Sequence, residues 1–120
     1  MMPLNIKELT AKKCQPCSQG AVPLSSAEAG EYLARLPEWV LASDEKNISR
    51  EYVMKNFIAA IQLIHQIAEV AESEDHHPDL HLTGYRRLRI DLATHSIGGL
   101  SLNDFILAAK IDQLPKELKK

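Results

Sequence analysis

The 120-residue chain contains no run of about 18 apolar residues, so it offers no segment for a membrane-spanning helix. Its first stretch, MMPLNIKELTAKK, lacks the apolar centre of a secretory signal, and a cytoplasmic location is expected. Basic blocks are absent as well: 14 Lys and Arg stand against 16 Asp and Glu, a formal net charge of −2. Phosphate backbones are bound by concentrated positive charge, so nucleic acid is not expected as the main partner, and the short tail KELKK does not alter that balance. Internal repeats and low-complexity stretches are also missing.

Cysteine is scarce. Only Cys14 and Cys17 occur, in KKCQPCSQG, so no disulfide framework holds the fold. A single CxxC leaves three readings open: two inert thiols, a redox pair, or half of a tetrahedral zinc site. No second CxxC supplies the other two ligands. What the chain does have is 45% hydrophobic and 25% charged residues, the composition of an ordinary soluble domain long enough to bury one core.

Residues 1–23 show no apolar period and are expected to form an extended arm carrying the CxxC, outside the core of a single domain spanning 24–120. In LSSAEAGEYLARLPEW, Ser25 and Glu28 have capping-box spacing, Ala29, Tyr32, Leu33 and Leu36 share a face, and Pro37 stops the helix. WVLA and NISREYV, separated by the polar SDEK, predict a β-hairpin with Trp39 anchoring its inner face. NFIAAIQLIHQIAEVAES is a long helix with two apolar seams. Phe57, Ile61, Ile64, Ala68 and Ala71 form one, and Ala60, Leu63, Ile67 and Val70 the other. Two seams exceed what one small sheet covers, which predicts a subunit interface on this helix. His65 falls on its polar stripe and is read as a solvated side chain.

LHLT and RRLRIDLAT then alternate. Leu88, Ile90, Leu92 and Thr94 face one way, and Arg87, Arg89, Asp91, Ala93 and His95 the other. After a Gly-Gly break, Ser101 and Asp104 cap a last helix that runs to Pro115. The order α-β-β-α-β-β-α implies an α+β fold, an antiparallel four-stranded sheet with three helices packed on one face.

The chemistry is concentrated in DHHPDLHLTGY, residues 75–85. Imidazole serves metals and proton transfer equally well. His77 and His81 are four apart, but Pro78 breaks the helical geometry that would align them, and no nearby carboxylate or cysteine pattern completes a metal set. An antiparallel hairpin brings the start of its first strand near the end of its second, so His76, His77 and His95 can converge at one rim of the sheet. A hydrated loop with satisfied histidines remains the alternative.

Glu-x-x-x-His-His-Pro from Glu72 to Pro78, Tyr85, Thr94-His95 and GGL-Ser-x-x-Asp ending at Asp104 together resemble the signature of the pterin-4a-carbinolamine dehydratase family. The resemblance covers residues 24–114 and includes the PEW around Trp39. It implies a lyase that dehydrates 4a-hydroxytetrahydropterin to quinonoid dihydropterin in tetrahydrobiopterin-type recycling, without metal or organic cofactor. His76, His77 and His95 match the family's active-site histidines, and Glu72 and Asp104 its supporting carboxylates. A pterin substrate and a homodimer or homotetramer are implied. Leu80 and His81 stand where the animal enzymes commonly carry an aromatic residue, and the chain looks closer to a bacterial and plastid branch. Some members of that branch resemble Rubisco-assembly proteins, so a non-catalytic scaffold or assembly factor with a protein partner is the alternative function.

Overall fold

A computed structural model describes residues 4–15 and 22–120. Its elements, in chain order, are α1 (Ile6–Ala11), α2 (Ser26–Leu33), β1 (Val40–Leu41), β2 (Ile48–Val53), α3 (Phe57–Glu74), β3 (Asp79–Thr83), β4 (Arg87–Leu92), a 3-10 turn (His95–Ile97) and α4 (Leu102–Gln113). The four strands lie in the order β1-β2-β4-β3, all neighbours antiparallel, as an α+β fold requires. Both hairpins expected from the sequence form, and the two are joined through the β2–β4 pair.

Alternation along β4 divides the sheet into two faces. Leu88, Ile90 and Leu92 are fully buried beneath the helices, while Arg87 and Arg89 are exposed on the opposite, helix-free face. Ile48 and Tyr52 of β2 add to the core, with Leu63 and Ile67 of α3 and Phe105, Ile106 and Leu107 of α4 above them. Tyr32 of α2 stacks on Phe105 with ring centroids 5.1 Å apart. At the far end of α4, Asp112 collects the indole N–H of Trp39 and a guanidinium N–H of Arg50, each at 3.0 Å, together with the hydroxyl of Tyr52. One carboxylate thereby fastens the last helix to the first hairpin.

On α3 the core takes Ala59, Ala60, Leu63, Ile67 and Ala71. The seam of Phe57 and Ile61 begins in solvent, at 49% and 42% exposure, with Ile58 beside it at 62%, and only its far end, Ala71, joins the core. His65 is likewise outside, 3.2 Å from Glu69 one turn along.

The N-terminal arm departs from expectation. Residues 6–11 are helical rather than extended, with a capping box between Asn5 and Glu8, and Leu9 is completely buried. One and a half turns are too short to display an apolar period, so the sequence signal was confined to the Asn-x-x-Glu cap. α1 packs on α4, adding a fourth helix beyond the three expected. The irregular segment that follows, residues 12–15, is tied down by hydrogen bonds. Lys13 Nζ donates to the carbonyl of Ser73 (2.6 Å), Cys14 N–H to Glu74 (2.7 Å), and Gln15 exchanges two backbone bonds with the Asn103 amide (2.9 and 2.6 Å). Cys17, the second cysteine of the CxxC, lies outside the described residues.

Glu74 anchors this strap between the Cys14 N–H and Lys110 Nζ, the latter at 2.9 Å. Burial alone would raise its carboxyl, but those two donors outweigh burial and hold it below its ordinary value of 4.5. A depressed carboxyl stabilises the fold fully above that ordinary value and loses its contribution as pH falls through the lower native one. The stability difference between wild type and Glu74→Gln in urea unfolding should therefore be widest near neutrality and close below 4.5. A difference that persists unchanged down to about pH 3 would contradict this role.

Cys14 is 6% exposed, its thiol lies 3.6 Å from the Asn103 carbonyl, and burial, reinforced by Glu74, pushes its pKa up to about 12. A thiol held this way has almost no thiolate at neutral pH. Alkylation of the native protein at about pH 8, followed by peptide mapping, should leave Cys14 unmodified until denaturant is added. Labelling of Cys14 in the native state at the rate of a free thiol would contradict it.

Candidate functional site

Helix α3 ends at Glu74, and Asp75 turns the chain with a left-handed φ of 52°. His76 follows, its N–H bonded to the carbonyl of Ala71 at 3.2 Å, then His77, which Pro78 restricts to extended conformations. Successive side chains of an extended segment point to opposite sides. His76 accordingly turns under the helices and His77 towards the helix-free face of the sheet.

His76 is 12% exposed, and its Nε2 lies 2.6 Å from Oδ1 of the wholly buried Asp104. The second oxygen of Asp104 accepts the Thr94 hydroxyl (2.8 Å) and the Ser101 N–H (3.0 Å). Asp104 thus caps α4, ties the end of the β4 segment to it, and fixes His76, with three donors compensating the buried carboxylate. On the other side, His77 Nε2 contacts Oε2 of Glu72, in the last turn of α3.

His77 and His95 line the same cavity, about 280 Å³ in volume, on the helix-free face. Asp91, Ala93 and His95 form its floor in steps of two, His77 and Asp79 one wall, and the β1–β2 turn with Asp44, Lys46 and Asn47 the other. Two glycines shape the floor just past His95. Gly98 ends the 3-10 turn at φ 69°, and a side chain at Gly99 would meet Pro23 at 2.8 Å. His76 opens instead onto a second cavity, about 380 Å³, lined by Cys14, Glu74 and Asn103; Thr94 borders both.

The expected convergence of three histidines is therefore divided. The hairpin brings His77 and His95 together, while His76 stands behind the sheet on Asp104. Glu72 and Asp104 each contact one histidine, His77 and His76 respectively. His81 lies outside the cavity, 3.0 Å from Asp91, which lines it. Asp79 and Asp91 were not among the site residues expected from the sequence, and Thr94 entered only as part of the signature, without a role of its own. The signal for Asp79 and Asp91 was present in the period of two, which sets Asp79 beside His77 and Asp91 beside His95. Thr94 gave none beyond its place before His95. Among the described residues, no group of three or more His, Cys, Asp or Glu side chains could hold a metal ion.

Two imidazoles lining one groove can donate and accept protons on one bound molecule. The family model described as Pterin 4 alpha carbinolamine dehydratase matches residues 22–114. A Halorhodospira halophila protein assigned to that family is 46% identical over 106 residues, 88% of this chain and 96% of its own length. The mitochondrial pterin-4-alpha-carbinolamine dehydratase 2 of Arabidopsis thaliana is 40% identical over 116 residues, 94% of this chain and 62% of its own. Among solved structures, a transcriptional coactivator/pterin dehydratase from Brucella melitensis superposes with a TM-score of 0.71 at 33% identity, covering 75% of this chain and 95% of that one. With a family match across most of its length and relatives at this level of identity, the chain belongs to the pterin-4a-carbinolamine dehydratase family of lyases.

Proposed function

We propose that the groove holding His77 and His95 dehydrates 4a-hydroxytetrahydropterin to quinonoid dihydropterin and water. The observation that carries this reading is the pairing of those two side chains on one cavity of the helix-free face. The reaction breaks the C4a–O bond and the N5–H bond and forms a C4a=N5 double bond. One imidazole gives a proton to the departing hydroxyl, which leaves as water, and the other accepts the N5 proton. The net change moves only protons and water, so the step calls on neither electrons nor an organic cofactor. Each such acid or base role contributes about 10²–10⁴-fold in rate.

Glu72 holds the outer nitrogen of His77 and so directs which ring nitrogen faces the groove. His76 acts through Asp104 and Thr94 on the chain that carries His95, as a positioning residue on the far side of the sheet. The exposed apolar start of α3, with Phe57, Ile58 and Ile61, supports assembly as a homodimer or homotetramer through that helix. The coactivator named for the Brucella relative favours a second reading, a scaffold acting on a protein partner. Its sign is a stable complex that survives loss of His76, His77 and His95 together.

The test is the disappearance of chemically generated 4a-hydroxytetrahydropterin. Purified protein should accelerate it over buffer, and His77→Ala and His95→Ala should each lower kcat/KM by about 10²-fold or more. Wild-type decay no faster than buffer would remove the enzymatic reading.

A further inference from the structure

Within the same groove, β3 and β4 place Asp79 directly opposite Asp91. Like charges in facing positions on a sheet repel, and such a pair is unfavourable unless something compensates it. Asp91 is compensated: Oδ1 accepts from Arg89 Nε and Oδ2 lies against His81 Nε2, both at 3.0 Å. Asp44, across the cavity, already accepts the N–H of Lys46 at 3.0 Å within its own turn. Asp79 accepts no hydrogen bond from any described residue. It is the one carboxylate on this cavity, among the described residues, with both oxygens uncommitted, and it stands two residues from His77 on the same side of the strand.

A pterin carries, at the end away from C4a and N5, an N3–H and a 2-amino group side by side. Two parallel N–H donors of this spacing match the two oxygens of a carboxylate, as an arginine fork does. We infer that Asp79 is the specificity-determining residue of the groove and binds the amino-pyrimidine end of the substrate while His77 and His95 work on the opposite end. This inference rests on the proposed dehydratase reading. It also accounts for the facing acidic pair: the ligand supplies the donors that Arg89 and His81 supply to Asp91.

The test combines turnover with binding. Asp79→Asn keeps the side chain's size but replaces one acceptor with a donor. KM for 4a-hydroxytetrahydropterin should rise about 10- to 100-fold, with kcat falling far less than in His95→Ala. In fluorescence titrations of the wild type, pterin should bind at least about tenfold tighter than lumazine, which has an oxygen in place of the 2-amino group. Asp79→Asn should largely erase that preference. The variant should melt at or above the wild-type temperature, because a facing repulsive pair has been relieved. A wild type that turns over substrate while Asp79→Asn leaves KM and the pterin preference unchanged overturns this inference alone, as does loss of the preference in Asp44→Asn in place of Asp79→Asn. A wild type without turnover overturns the dehydratase reading, and this inference with it.

Discussion

A carboxylate with no exposure to solvent is tolerable only if donors surround it, and Asp104 organises the molecule by meeting that requirement. Its donors come from three places: the loop after α3, the segment after β4, and the residue that caps α4. The position at the N-terminus of α4 adds the favourable field of the helix end. With His76 drawn inward by this carboxylate, Pro78 leaves His77 no choice but the other face. The groove is thus set by a contact on the far side of the sheet from where it opens.

The opposite end of α4 shows the same logic. Asp112 meets Trp39, Arg50 and Tyr52, so the last helix is bound to the first hairpin as well as to the last one. Arg50 also lies over the Tyr52 ring, 4.2 Å from its centroid, and this contact packs the guanidinium while Asp112 pairs its charge. Between the two carboxylates α4 is buried almost continuously from Asn103 to Ala109. Little of its length is free to shift without breaking one anchor or the other.

Much of this was written plainly in the sequence, because strand alternation and capping boxes are local. Ser25 with Glu28, Ser101 with Asp104, and the alternating faces of residues 87–92 all appear where their spacing puts them. The division between His76 and His77 was only half local: it needed the chain to be extended at that point and Asp104, 28 residues further on, to lie within reach. The buried helix α1 was harder to see, since six residues cannot show a period and its stability comes from packing on α4 rather than from its own sequence. The seams of α3 were both visible. Which one faced the sheet depended on the strands beneath it, and the sequence contains no statement of that.

The sheet separates two kinds of demand on the same few residues. Thr94 borders both cavities, but its hydroxyl is committed to Asp104 and Ser101 on the packed side. Asp91, Asp79 and the β1–β2 turn face only the open side, where no core residue relies on them. Change on that side can alter what enters the groove without disturbing the interior. The architecture therefore lets the lining of the open side be exchanged without touching the contacts that hold the fold together.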